Sequence, residues 1–357
     1  MKTISFNILN ASATHLPSLH QLSDAGFGQN LMHLTPTRDT ELIINGKSLT
    51  ELPHVTASGN GLLPNGGISP AVLTRGLLQL FYKAGYNIEI NSFNFNVIAP
   101  QTQPQTWLKQ QHFGGVGQDS QAIVTQSLLP SLLDQAERGC ISILAECGVG
   151  GTTFSTLWLR LLTGLNLSPA GSTTDKQKLA SKSALLLRLE QDYLADQMIS
   201  SNHCHFDLNK LLEHSLFHDQ IQQALCSLFN QWPPQLTFPT LCGGMMFVAP
   251  LLGYRHAHQF DLPVTIYTTR WVLQGDGQQI LDFLPSQDTL RIHSSNFNHS
   301  TLDCLKVFEQ GQVVEGCGLG GCLVLAEQLG WSEQEILAAL ALAVTEHVNH
   351  FKQESVA

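Results

Sequence analysis

The stretch from Ile141 to Thr163 constrains the fold more than any other part of the chain. A short apolar run, Ile141 to Ala145, leads into Glu146-Cys147-Gly148-Val149-Gly150-Gly151-Thr152-Thr153, and an amphipathic pattern follows from Thr153 to Thr163. Strand, glycine turn and helix in that order form the repeating unit of a parallel sheet. The same rhythm recurs along the chain. Strands are expected at Leu31 to Leu34, Asn87 to Phe93, Ile141 to Ala145, Val264 to Thr268 and Leu290 to His293. Helices are expected at Pro70 to Ala84, Ser120 to Ala136, Thr153 to Thr163, Lys176 to Met198, Gly243 to Gln259 and Glu333 to Phe351. The last carries Ser332 followed three residues later by Glu335, the spacing of a capping box. The segment from Ser200 to Pro239 fits neither pattern and reads as an excursion from the sheet. An α/β fold with a largely parallel sheet is the expectation, without internal repeats or low-complexity tracts.

Composition bounds the function. With 357 residues, 43% of them hydrophobic, the chain can bury one large core or two moderate ones. Its formal net charge of -10, from 18 Lys plus Arg against 28 Asp plus Glu, offers no basic stripe for a nucleic-acid backbone. Met1 to Leu16 lacks the continuous apolar run of a signal peptide, and no stretch has membrane-spanning length. The eight cysteines contain no CxxC pair. A reducing cytoplasm and free thiols are therefore expected.

In open parallel sheets, ligands bind beyond the carboxyl ends of the strands. Residues 91–96, 146–153, 268–271 and 293–296 occupy such positions. The segment 146–153 has the layout of an anion cradle, because glycines admit a phosphate close to the backbone and a helix N-terminus offers unpaired N–H groups. Thr152 and Thr153 add hydroxyl donors, and Glu146 suits a sugar hydroxyl or a base N–H. The alternative is a tight turn that binds nothing. Glu315-Gly316-Cys317-Gly318-Leu319-Gly320-Gly321 contains a GxGxxG string, yet too little chain follows it for a dinucleotide fold. Its glycines can instead bring Glu315 close to a ligand as a base, or Glu315 can be a structural acid at a helix start.

Other clusters carry less. His203-Cys204-His205 has no second Cys/His pair at finger-like spacing, and His256 and His258 stand two residues apart in an expected helix, off a common face. Ser294 and Ser295 lack a G-x-S-x-G setting and read as phosphate donors. There is no Walker loop, and no strand-end acidic pair of the kind that binds magnesium with a pyrophosphorylated ribose.

Residues 146–153 resemble the E-x-G-x-G-x-T-T segment of the nicotinate-nucleotide:dimethylbenzimidazole phosphoribosyltransferases, and Glu315-Gly316-Cys317-Gly318 resembles their late E-G-x-G segment. Leu179-Ala180-Ser181-Lys182 is similar to an L-x-x-K stretch, Cys242-Gly243-Gly244 to a glycine-led helix, and His293-Ser294-Ser295 to a serine-bearing phosphate segment. Gly67-Ile68-Ser69 and Leu73-Thr74 echo a region lining the base pocket. The family's D-H-G-V stretch is represented only by Ser58-Gly59-Asn60-Gly61. Thr268-Thr269-Arg270-Trp271 and Gly318 to Gly321 look like a divergent archaeal and cyanobacterial branch.

The resemblance implies a Rossmann-like, mostly parallel sheet with helices on both faces, spanning 27–325, and a smaller helical lobe built from 1–26 and 326–357. It implies a homodimer that moves ribose 5-phosphate from nicotinate mononucleotide to a heteroaromatic base. The α-linked product would serve as the lower ligand of a cobamide, and no metal or redox cofactor would be needed. On this reading Glu315 is the general base. Glu146, Gly148, Gly150, Gly151, Thr152, Thr153, Lys182, Ser294, Ser295, Gly316 and Gly318 hold phosphate and ribose. Ser69, Asn91 and, by its charge, Arg270 face the base or nicotinate. Competing readings are another acceptor such as adenine or a phenol, a nucleotide-binding homologue without catalysis, and a dehydrogenase.

Overall fold

The computed structural model describes residues 2–16, 18–26, 29, 31–51, 61–63, 65–171, 173–196 and 206–354. The chain runs β1 (Thr3–Ser12), α1 (Thr35–Asn45), α2 (Pro70–Lys83), β2 (Asn87–Phe95), β3 (Leu108–Gly115), α3 (Ser120–Ile123), α4 (Leu129–Glu137) and β4 (Ile141–Val149). It continues with α5 (Gly151–Thr163), α6 (Lys176–Asp196), α7 (Leu208–Glu213), α8 (Gln220–Gln231), β5 (Thr240–Cys242), α9 (Met245–Ala257) and β6 (Thr265–Thr268). The last part is α10 (Gly277–Leu281), β7 (Thr289–Ile292), α11 (Asp303–Glu309), α12 (Leu319–Gln328) and α13 (Glu333–Glu354).

The seven strands are all parallel, in the order β3-β2-β1-β4-β5-β6-β7. This is the Rossmann-like, doubly wound arrangement. α1, α2, α12 and α13 form one covering layer, and α4, α5, α8 and α9 form the other. Both faces of the sheet are thereby buried, as a parallel sheet requires. Among the described residues no helix is long and apolar enough to cross a membrane.

Three strands escape the sequence pattern, each for a physical reason. β1 carries Asn7 and Asn10 in its middle, which breaks an apolar run, yet both are fully buried. The Asn7 amide donates to Gln135 Oε1 at 2.9 Å and accepts from Asn91 Nδ2 at 3.0 Å, while Asn10 Nδ2 donates to Thr40 and to Asn94, each at 2.9 Å. Satisfied in this way, the amides do not oppose burial. β3 is an edge strand, partly exposed, and needs no apolar stripe. β5 has only three residues.

Several expectations are corrected. Leu31 to Leu34 is not a strand but a 3-10 turn, Met32–Leu34, running straight into α1, whose first turn is pre-set by Pro36. Ser120 to Ala136 is not one α-helix: a π-helical stretch, Val124–Leu128, separates α3 from α4, where Pro130 removes an N–H from the ladder. The segment 1–26 is not confined to a peripheral lobe, since Thr3–Ser12 is an interior strand of the sheet, between β2 and β4. Near the other end of the chain, α13 packs on α2, where a β-carbon on Gly76 would lie 2.7 Å from Ala343 Cβ. Most of the apolar run from Ile336 to Val344 is thus spent inside its own chain.

Candidate active site at the sheet switch point

The strand order reverses between β1 and β4. β1 leads to α1 on one face and β4 to α5 on the other, which opens a crevice beyond their carboxyl ends. A cavity of about 230 Å³ lies there. Its wall includes the β4–α5 junction through Glu146, Gly148, Gly150, Thr152 and Thr153. Ser69, Lys182, Glu315 and Gly316 complete the group of expected residues that the fold brings together.

β4 extends to Val149, so Glu146 and Cys147 are strand residues paired in register with Leu9 and Asn10 of β1. The period of two sends their side chains to opposite faces. Glu146 points towards α9, where the Gly244 N–H donates to its Oε1 at 3.1 Å. Cys147 points towards α1, near Asp39.

Glu315 reaches the same cavity from the start of α12. Its Oε1 accepts the N–H groups of Gly316 at 3.1 Å and Gly320 at 3.0 Å, and its Oε2 accepts that of Thr269 at 2.9 Å. Gly320 is required by this contact, because a β-carbon there would collide with Glu315 Oε2 and the Thr268–Thr269 backbone. Each glutamate therefore caps a helix N-terminus, a favourable place for negative charge. Burial still dominates. It raises Glu146 to about 8, helped by the Glu315 and Asp219 charges and opposed by Gly244, and it raises Glu315 to about 7 against its backbone donors. Two carboxyls poised to gain or lose a proton near neutrality share one cavity.

The cavity also has a corner whose groups suit an anion. Gly150 precedes α5 with φ 85, and a β-carbon there would meet Ala13 at 2.8 Å and Leu19 at 2.9 Å. Only glycine makes this turn cheaply. The α5 N-terminus then presents Thr152 and Thr153 to the cavity. The partly buried Lys182, on α6, forms no ion pair with any described residue, and burial together with Arg160 lowers its ammonium to about 8. A cation without a carboxylate partner in the same cavity as a helix N-terminus suits an anionic ligand.

Six expected residues do not line this cavity. Gly151 begins α5 but abuts Asp219 and Met246, and Gly318 packs on Ala145 and Phe6. The Asn91 amide is used by Asn7 within the sheet. Arg270 pairs with Glu309 and donates to Asn296 at 3.2 Å. The Ser294 N–H and the Ser295 N–H and hydroxyl all go to Glu327 of α12, at 2.8–3.1 Å. The Ser295 hydroxyl and both serine N–H groups are thus engaged by a carboxylate of the chain itself. His203-Cys204-His205 and Ser58 to Asn60 lie outside the described residues.

Sequence reasoning missed Asp39, Cys147 and Cys317, which also line the cavity. Asp39 sits in a buried helix after an unrecognised strand, and burial raises its carboxyl to about 6 despite a 2.8 Å hydrogen bond from Ser69 Oγ. The GxGxxG string follows α11 rather than a strand, so it lacks the strand-turn-helix setting of a dinucleotide fingerprint.

No family model matches the chain. It is similar to the UPF0284 protein of the cyanobacterium Rippkaea orientalis, 26% identical over 93% of this chain and 90% of that protein. It is also similar to the UPF0284 proteins of the archaea Sulfurisphaera tokodaii, 25% identical over 93% and 91%, and Pyrobaculum calidifontis, 23% identical over 86% and 86%. The chain thus resembles, over nearly its full length, a group of cyanobacterial and archaeal proteins named UPF0284.

Proposed function

We propose that the chain transfers ribose 5-phosphate from nicotinate mononucleotide to a dimethylbenzimidazole-like nitrogen heteroaromatic, giving an α-linked nucleotide of the kind used as a cobamide lower ligand. One observation carries the reading: the buried Glu146 and the partly buried Glu315 meet in a cavity that also holds the α5 N-terminus and Lys182. The phosphate would sit at that N-terminus, fixed by Thr152, Thr153 and the Lys182 ammonium. Breaking the bond from ribose C1′ to the pyridine nitrogen leaves the electron pair on nicotinate. A ring nitrogen of the acceptor bonds to C1′ from the opposite face. The acceptor's N–H proton passes to Glu315, whose Oε2 has one backbone donor against two on Oε1. Glu146, with a single backbone donor on Oε1, is placed for the ribose or the acceptor ring.

The test is incubation with nicotinate mononucleotide and a panel of benzimidazoles, adenine and phenols, read by mass spectrometry. Nicotinate release with an α-linked product from a benzimidazole supports the reading. Product from adenine or a phenol alone changes the acceptor. Binding of the mononucleotide without nicotinate release from any pair contradicts transfer. The same reading carries a symmetric dimer, which light scattering checks against the chain mass of 39.1 kDa.

A further inference from the structure

We propose that Asp39, Cys147 and Cys317 form a three-ligand site for a thiophilic divalent cation, zinc above all, whose fourth coordination position faces the cavity. The inference goes beyond the transfer reaction and does not rest on it. It revises the expectation of a chain without metal.

The three side chains arrive from separate parts of the fold. Cys147 leaves β4 on the face opposite Glu146, Asp39 comes from α1, and Cys317 lies in the turn before α12. All three are buried, and one donor atom from each falls within 4.8 Å of the others. The two sulfurs are 3.6 Å apart, and Cys147 Sγ is 4.0 Å from Asp39 Oδ2. Ligands at zinc-like bond lengths, about 2.3 Å for sulfur and about 2.0 Å for oxygen, stand roughly 3.5–3.8 Å apart on a tetrahedral ion. These two edges are close to that spacing, and the third lies within 4.8 Å. Cys147 and Cys317 are free thiols.

The surroundings resemble those of a metal ligand set. Ser69 Oγ donates to Asp39 Oδ1 at 2.8 Å, which orients the carboxylate and leaves Oδ2 turned towards Cys147 Sγ. Such outer hydrogen bonds orient ligands at metal centres. Cys317 is also one of three described non-glycine residues with positive φ, at 55°, and the turn holds its sulfur against Cys147. Two thiolates and a carboxylate are a soft, anionic set that favours zinc over magnesium or calcium. Three protein ligands with one open position is the pattern of a zinc centre that also takes water or a substrate atom. In the cavity that fourth ligand would be water or a ring nitrogen of a heteroaromatic. Thiolate ligation of a cation releases the thiol protons, so binding should be pH-dependent.

The test uses the full chain, reduced and chelator-treated under anaerobic conditions, titrated with cobalt(II) and then zinc(II), with no substrate present. One cobalt per chain with a thiolate-to-cobalt charge-transfer band, displaced by zinc, is the expected result. Cys147→Ser and Cys317→Ser should each abolish the band. Asp39→Asn should weaken binding by more than the roughly 10- to 100-fold typical of losing an outer partner, and Ser69→Ala by about that amount. Circular dichroism establishes that each variant is folded, and Ser69→Ala keeps the proposal testable if a cysteine variant is not. Absence of stoichiometric binding in the wild type, or a band that survives in both cysteine variants, would overturn the site. Since metal is read without turnover, this result and that of the transfer assay are independent.

Discussion

Two regions beyond the strand ends look alike in sequence and differ in what their polar groups do. At the end of β4, the α5 N-terminus and Lys182 face a cavity with no carboxylate paired to the lysine among the described residues. Beyond β6 and β7, the cation and N–H groups are already engaged. Arg270 pairs with Glu309, Ser294 and Ser295 donate to Glu327, and the N–H of Asn296 goes to Glu333 at 2.9 Å. Chain position alone therefore does not make an anion site. The donors must also be left free, and in the second region internal carboxylates occupy the place a phosphate would take.

The largest expected effect sharpens the first region. Glu315→Gln keeps the size and an acceptor oxygen but cannot take a proton, so single-turnover rates should fall about 100- to 10,000-fold while mononucleotide affinity moves little. A structural glutamate would instead lower the melting temperature and leave the activity of the folded fraction nearly intact.

The next effect belongs to the second region and is read by pH. His293 Nδ1 accepts the Arg270 N–H at 3.1 Å, which places the neutral ring's proton on Nε2, an atom buried without a partner. Burial first, with the Arg270 charge, lowers the imidazole from 6.5 to about 4. A base with a depressed folded pKa contributes stability that is present above the unfolded value and lost as pH falls towards the folded one. Unfolding free energy should therefore drop between pH 6.5 and 4 by up to about 3 kcal/mol relative to His293→Phe, measured by denaturant titration. Identical slopes in the two proteins would show that His293 is not buried neutral.

The smallest effects concern the serines. Ser295→Ala removes one hydroxyl donor to Glu327 and should cost about 1 kcal/mol. Ser294→Ala, whose described hydrogen bonds use only the backbone, should stay within about 0.5 kcal/mol. Neither should change mononucleotide affinity. A loss of affinity in either variant would return this segment to the site.

Much of this was legible in the chain. The apolar run 141–145 and the glycines after it place the β4–α5 junction, and Glu315, singled out by its glycine-rich setting, lines the same cavity. What stayed hidden depended on partners distant in sequence. β1 reads as polar because Asn7 and Asn10 are satisfied by Gln135, Asn91, Thr40 and Asn94, which no local pattern reveals. With β1 unseen, α1 had no strand to follow, and Asp39 could not be placed at the switch point. That Arg270 and the serines lie away from the cavity and pair with Glu309 and Glu327 is a matter of tertiary structure that no local pattern shows.

Equilibrium binding of nicotinate mononucleotide to the wild type, Lys182→Met and Arg270→Met, by calorimetry at one ionic strength, tests the central claim most directly. Lys182→Met should weaken binding by roughly 10- to 100-fold, the worth of a charge-assisted hydrogen bond. Arg270→Met should lower the melting temperature and leave the dissociation constant unchanged. The reverse pattern, with affinity lost in Arg270→Met and kept in Lys182→Met, would place the nucleotide beyond β6 and β7 and contradict the assignment of the site to the end of β4.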